Sequence, residues 1–295
     1  MDTYTFLLPV YNDWESTKIL LNQIEKYLKN IKNNYKVLII NDNSSEKIEY
    51  NFNKKKFFKE IKILNLNKNI GSQKSIATGL KYISKNHKNK NEKFIIMDSD
   101  GEDDPKKIKE IINLVEKNKK LQIITMNRTI RKESLFFSIL YEIHLIITFL
   151  ITFNYIRFGN FSFLKKKIVD RITKKNELWL AYSATLKKYF LNRSSILAPR
   201  RKRISGKSKM SYLGLIYHSI NIQSVFKKNI LIYYLLYSFI LFALYFFEFL
   251  GIISITLILF LFIHYLIISF GLQKKVNGIT FNICLNNIKS IKKFK

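Results

Sequence analysis

The chain has 295 residues, 47% of them hydrophobic, enough for one sizeable domain with a real core plus an appendage. Its 51 Lys and Arg against 21 Asp and Glu give a net charge of +30, a field that favours nucleic acid, anionic lipid headgroups or phosphorylated substrates. The single cysteine, Cys284, excludes an intramolecular disulfide and a Cys-based zinc site, and His87, His144, His218 and His264 lack metal-ligand spacing.

Thr5-Phe6-Leu7-Leu8 reads as a buried strand ended by Pro9, and the run begins without a signal peptide, an expectation of a cytoplasmic half. Apolar positions Ile19, Leu20, Ile24, Tyr27, Leu28 and Ile31 predict a helix over 15–32. Lys36 to Ile40 predicts a second strand, closed by the turn Asn41-Asp42-Asn43-Ser44-Ser45. A third strand is expected over Ile61 to Leu66, a helix over 72–86, a fourth strand over Lys93 to Met97, a helix over 105–118 opened by Pro105, and a fifth strand over Gln122 to Met126. Strands alternating with helices predict an open, mostly parallel α/β sheet whose ligands bind beyond the carboxyl ends of the strands. The polar clusters Pro9 to Asp13, Asn41 to Ser45 and Asp98 to Asp104 fall at those ends.

Residues 134–156 are apolar but broken by Glu142, His144 and Asn154, which favours helices lying in a membrane interface. Residues 230–250 and 251–272 are long enough for two transmembrane helices. Lys227 and Lys228 before them and Lys274 and Lys275 after them predict a hairpin with both ends cytoplasmic. The expected division is a nucleotide-sugar core over 1–133, interfacial helices and the acceptor side over 134–228, two transmembrane helices over 229–272, and a basic tail over 273–295 against anionic lipid.

Asp98-Ser99-Asp100-Gly101-Glu102-Asp103-Asp104 follows the fourth strand, where alternating carboxylates can point into one site and hold a hard divalent cation. Alone, such a run is also a common solvated turn. Pro9-Val10-Tyr11-Asn12, Ile40-Asn41-Asp42-Asn43-Ser44, Asn69-x-Gly71-x-x-x-Ser75-x-x-x-Gly79 and Asp98-x-Asp100 occur in that order. In this the chain resembles family-2 glycosyltransferases of the GT-A fold. Gly159-Asn160-Phe161 and Arg203-x-x-Gly206-x-Ser208-Lys209 resemble the branch that transfers sugars to polyprenyl phosphates, such as dolichol-phosphate mannose synthase and its undecaprenyl-phosphate relatives.

The resemblance implies that Pro9, Tyr11 and Asn12 line a nucleotide pocket, that Asp42 contacts the base, and that Asn69 and Gly71 form a loop beside the nucleotide. Asp42 is equally good turn chemistry, and Ser75 and Gly79 serve close helix–sheet packing. Asp98, Asp100 and Glu102 are the implied ligands of Mg2+ or Mn2+, with Asp100 the direct one; Arg128 and Arg131 are implied near the donor phosphates. Arg203 and Lys209, within a basic run from Arg200, are implied to hold diphosphate or lipid phosphate. The branch often has Gly-Asp-Phe where this chain has Gly159-Asn160-Phe161, and an amide cannot take a proton; a polyprenyl phosphate is already anionic and needs little deprotonation.

The expected function is metal-dependent, inverting transfer from a UDP- or GDP-sugar to a polyprenyl phosphate at the cytoplasmic face of a bacterial inner membrane. The alternatives are another acceptor in surface polysaccharide synthesis, or a non-catalytic nucleotide-binding membrane homologue. Nucleic acid ranks last as a partner, because the basic residues cluster beside apolar spans and no aromatic-studded recognition motif is present.

Overall fold

The computed structural model describes residues 1–48, 51–52, 55–129, 135–206, 211–248, 250–275 and 281–294. Its first half alternates β1 (Thr3–Val10), α1 (Trp14–Leu28), β2 (Asn34–Asn41), β3 (Glu60–Leu66), α2 (Ser72–Asn86), β4 (Lys93–Ile96), α3 (Lys107–Lys117) and β5 (Ile123–Arg128). The expected order of these elements holds throughout. Pro105 lies in a turn ahead of α3 instead of in its first turn, accepting a hydrogen bond from the Ile108 N–H at 3.2 Å.

After β5 come α4 (Leu135–Thr152), β6 (Phe158–Lys165), α5 (Lys166–Ile172), α6 (Tyr182–Tyr189), β7 (Ser194–Ala198), α7 (Tyr212–Val225), α8 (Lys227–Phe246), α9 (Ile252–Lys275) and β8 (Ile288–Phe294). The strands form one sheet in the order β7-β5-β6-β4-β1-β2-β3-β8. β3-β2-β1-β4 run parallel, while β6 is antiparallel to both β4 and β5. The parallel strands are apolar on both faces because both are covered. Leu7, Leu38 and Ile40 pack towards α2, whereas Phe6, Leu8, Val37 and Ile39 share the opposite core with residues of α1 and α3.

Gly79 serves this packing as expected: a Cβ there would lie 2.5 Å from Leu7 Cδ1, so the helix approaches the sheet at backbone distance. The two apolar C-terminal helices lie against one another, joined by a hydrogen bond of 2.6 Å between Tyr234 Oη and His264 Nδ1. Only 11% of each span is buried within the chain, unlike the core helix of a soluble domain.

The basic tail departs from its expected place on lipid. Its end forms β8, antiparallel to β3 at the sheet edge, with Lys293 paired to Glu60 at 2.9 Å and Phe294 packed on Phe52 at a ring separation of 5.4 Å. Ahead of it, Phe281 and Cys284 are buried against the α2 side of the domain. The chain therefore leaves the sheet domain for the apolar helices and returns to it.

Candidate active site

β1, β2 and β4 end side by side, with Val10 opposite Asn41 and Leu7 opposite Ile96. β1 is the switch point, flanked by strands whose connections run in opposite directions, and the loops beyond it open a crevice. Asn12 takes a left-handed conformation at φ 48°, which asparagine tolerates better than most residues. There its Oδ1 accepts the Ser45 N–H at 2.8 Å and the Glu46 N–H at 3.2 Å, and its own N–H donates to Ser44 Oγ at 2.9 Å. The loops after β1 and β2 are thus one unit. Pro9 is buried beneath them and Tyr11 is exposed at the rim.

Asp42, buried at the end of β2, clamps the next loop. Its two carboxylate oxygens accept the N–H groups of Ile70 and Gly71, each at 2.8 Å. Asn69 Oδ1 also accepts the Gly71 N–H at 3.1 Å. Gly71 sits at φ 86° and ψ 155°, a region essentially only glycine visits. Burial raises the Asp42 carboxyl above its usual range, and the two amides restrain that rise.

Beyond β4, the Asp98 N–H donates to Asp103 Oδ2 at 2.9 Å, and Asp98 Oδ1 accepts from Asn160 Nδ2 at 2.8 Å. Asn160 Oδ1 in turn accepts from Gln73 Nε2 at 3.0 Å, and Gln73 Oε1 accepts the Tyr182 N–H at 2.9 Å. Asn160 is therefore held as an orienting amide, its donor spent on Asp98. Asp100 Oδ1 accepts the Glu102 N–H at 3.0 Å, and Oδ2 accepts Arg203 Nη1 at 3.0 Å. Arg203 also bonds Asp13 and the Ser205 carbonyl, bridging the loops after β1 and β4.

The loop after β7 closes onto this acidic loop by backbone as well as charge. Arg201 N–H donates to the Glu102 carbonyl at 2.8 Å and Ile204 N–H to the Asp100 carbonyl at 3.0 Å. Arg200 pairs with Glu102, its Nε at 2.7 Å, and Arg201 lies 3.6 Å from Asp104. Gly101, at φ 78°, makes the approach possible, since a Cβ there would meet Ile204 Cδ1 at 2.2 Å. Arg128 stacks across Gly159, where a Cβ would lie 2.3 Å from Nη2, and its charge opposes the upward push that burial gives Asp103.

The acidic loop is short of positive charge. Asp100 is pushed well above the usual carboxylate range by burial, then by Asp98 and Glu102, and Arg203 offsets only part of this. That imbalance suits a divalent cation. Among the described residues no three His, Cys, Asp or Glu side chains already converge as ligands, and Glu102 is engaged with Arg200. Asp98 and Asp100, each already accepting from one side chain, are the carboxylates that could hold Mg2+ or Mn2+, ions that complete their shells with water and phosphate oxygens.

Pro9, Tyr11, Asn12, Asp42, Asn69, Gly71, Asp98, Asp100, Glu102, Arg128 and Arg203 lie at or beyond the carboxyl ends of β1, β2, β4 and β5 or in the loops hydrogen-bonded to them. Arg131 and Lys209 lie outside the described residues. Sequence reasoning missed Asp13, Gln73, Asp103 and Arg200 as members. Asp103 and Asp13 belonged to polar clusters already noted, but only the folded loops single them out. Gln73 gave no signal.

The sequence model described as Glycosyl transferase family 2 matches residues 5–175. A curated relative in Bacillus subtilis (strain 168), the uncharacterized glycosyltransferase YkcC, is 27% identical over 136 residues, which are 45% of this chain and 39% of that protein. The chain therefore spans about two-fifths of that relative's length. Among solved structures, glucosyl-3-phosphoglycerate synthase from Mycobacterium tuberculosis in complex with phosphoglyceric acid matches at a TM-score of 0.51 and 8% identity, over 77% of this chain and 80% of that one. S. aureus TarS in complex with UDP-GlcNAc matches at a TM-score of 0.44 and 14% identity, over 77% and 66%.

Proposed function

The chain belongs to glycosyl transferase family 2, and we propose that it moves a sugar from a UDP- or GDP-sugar to a polyprenyl phosphate at the cytoplasmic face of a membrane. The carrying observation is the meeting of the acidic loop at Asp98 and Asp100 with the basic loop at Arg200 to Arg203, beside helices whose apolar sides face outwards. Pro9, Tyr11, Asn12, Asn69, Gly71 and Arg128 surround the nucleotide in this reading, and Asp42 holds the loop against it. Asp98 and Asp100 would hold a Mg2+ or Mn2+ ion, which would supply charge neutralisation to the departing diphosphate. The glucosyl-3-phosphoglycerate synthase of the comparison has also been solved in complex with Mn2+ and UDP.

Transfer breaks the bond from the anomeric carbon to the nucleotide's diphosphate and forms one to an oxygen of the lipid phosphate. In-line attack inverts the anomeric centre. Arg203, held between Asp13 and Asp100, would receive phosphate in this reading, and Lys209 and Arg131 would serve the same anions. Asp98, Asp100 and Asp103 all accept hydrogen bonds within the site, and this reading requires none of them as a base. A phosphate nucleophile, already ionised, suits such a site. Both ends of the apolar hairpin connect to the catalytic domain, which favours entry and exit on one side of the bilayer, with lysines at each end.

The test is a screen of nucleotide sugars with purified protein and undecaprenyl phosphate. Metal-dependent release of nucleoside diphosphate, with label in a chloroform-soluble, mild-acid-labile product, is expected. Label confined to a polar product would redirect the acceptor to surface polysaccharide.

A further inference from the structure

α6 starts behind Ala181, whose methyl side chain cannot cap a helix. The N–H of its first residue, Tyr182, is met instead from 109 positions earlier, donating to Gln73 Oε1 at 2.9 Å. A main-chain N–H can only donate, and this sets the sense of every bond that follows. Gln73 must turn its carbonyl oxygen to Tyr182 and its amide nitrogen away. Gln73 Nε2 then donates to Asn160 Oδ1 at 3.0 Å, which turns Asn160 Nδ2 to Asp98 Oδ1 at 2.8 Å. Reversing either amide would set donor against donor at one end and acceptor against acceptor at the other.

The backbone of Asn160 is braced from the same helix. Ser162 Oγ donates to the Asn160 carbonyl at 2.9 Å and lies 2.6 Å from Tyr182 Oη, and all three residues are buried. Asn160 is thus fixed in place by β6 and α6, while the sense of its amide is set by Gln73. Gln73 in turn stands two residues after Gly71, whose N–H Asp42 holds. One side chain therefore joins the loop clamped by Asp42 to the carboxylate after β4.

We propose that Gln73 is a positioning residue: acting through Asn160, it fixes the orientation in which Asp98 offers its carboxylate to a divalent cation. This rests on the reading of Asp98 as a cation ligand and names the side chain that aims it. Without Gln73, nothing sets the sense of the Asn160 amide, and its oxygen can face Asp98 and push that carboxylate out of place. Partners that orient a ligand in this way govern metal affinity without touching the metal. Capping α6 is the simpler role open to Gln73, and it would stabilise the helix while leaving cation affinity unmoved. The two roles therefore separate in the measurement.

The experiment titrates MnCl2 into the full-length protein and reads free Mn2+ by electron paramagnetic resonance, at a temperature where every variant is folded. Gln73→Met, which keeps the length of the side chain and loses both hydrogen bonds, is expected to weaken Mn2+ binding about tenfold, the scale for a residue that orients a ligand. Gln73→Ser, too short to reach Asn160, is expected to match it and guards against a fault of packing in the first variant. Thr185→Ala is the structural control: its hydroxyl donates to the Ala181 carbonyl at 2.7 Å in the same turn of α6, so its loss should lower the melting temperature and leave the Mn2+ Kd unchanged. In an Asn160→Ala background, Gln73→Met is expected to add under about twofold, because the two residues act in series. An unchanged Kd in both Gln73 variants, a comparable loss in Thr185→Ala, or full additivity with Asn160→Ala would overturn the assignment while leaving Asp98 as a ligand. No binding of Mn2+ by the unsubstituted protein would overturn both.

Discussion

Asn160→Asp tests the reading of the acidic loop most sharply, because it changes one atom's chemistry beside Asp98. In the structure Asn160 Nδ2 donates to Asp98 Oδ1 at 2.8 Å, and Asn160 is buried. The substitution replaces that donor with a second carboxylate oxygen at the same place. Two unit charges ~4 Å apart at an effective dielectric of ~20 repel by about 4 kcal/mol. The pair can instead retain a proton, and holding a carboxyl of ordinary pKa ~3.9 neutral at pH ~7 costs about 4 kcal/mol as well, at ~1.4 kcal/mol per unit. Both routes agree on the scale. The sign follows from linkage: a carboxyl whose folded pKa is raised loses stability as pH rises above its unfolded value. The variant's deficit should therefore shrink towards acid pH. A divalent cation between the two carboxylates removes the repulsion, so the variant should gain more from Mn2+ than the unsubstituted chain does. The assay is thermal unfolding in chelator and in Mn2+, at neutral and mildly acidic pH. A melting temperature in chelator equal to that of the unsubstituted chain, or an equal response to Mn2+, would refute the argument that Asp98 is a cation ligand in a charge-starved loop.

Four further outcomes follow from the same geometry. Asp100→Asn should lower turnover on the order of 10²-fold or more, the scale for removing one preorganised charge, and should flatten metal dependence measured by nucleoside diphosphate release. Because burial and neighbouring carboxylates hold a proton on Asp100, Mn2+ binding by the unsubstituted protein should tighten from about pH 6 to about pH 8; a flat calorimetric profile would contradict the crowding. Gly71→Ala forces a side chain into φ 86°, at a cost of ~1–3 kcal/mol, and should raise donor KM as the Asp42 clamp slackens, with little change in acceptor KM. Ending the chain at residue 280 removes Phe281 from Trp179 and β8 from β3, so it should lower the melting temperature and leave a sheet edge open to aggregation, read by light scattering on heating.

Much of the donor half was legible because its signals are local. Runs such as Phe6-Leu7-Leu8 and Val37-Leu38-Ile39-Ile40 are long enough to mark strands buried on both faces, and α2 has the bounds its periodicity gives. Beyond residue 128 the signals weaken. β6 hides in Phe-Gly-Asn-Phe-Ser-Phe, where glycine and asparagine serve Arg128 and Asp98 rather than the sheet. β8 offers only Ile288, Ile291 and Phe294 among lysines, so it reads as a basic tail. Its partner strand is remote: Asn65 donates to Ser290 across 225 positions. The ion pairs were equally invisible. Arg203 could be assigned to phosphate from its basic surroundings, but its partner Asp13 lies 190 positions earlier.

These two long-range features bear on one another. Ser44 donates its N–H to Asn41 Oδ1, Asn41 Nδ2 donates to Asn65 Oδ1, and Asn65 Nδ2 donates to Ser290 Oγ, each within 3.0 Å. This chain of amides runs from the loop after β2, which Asn12 fastens to the loop after β1, out to the strand that follows the apolar hairpin. At the other end of the sheet, the loop after β7 is tied through Arg203 to Asp100 and Asp13, and it leads within a few residues to α7 and the hairpin. The crevice is therefore anchored on both sides by segments that run directly into or out of the apolar helices. Tilting the hairpin relative to the sheet would strain the Arg203 bridge and the Ser290 contact together. A site held in this way keeps a fixed position relative to the apolar helices, as the proposed lipid-phosphate acceptor requires.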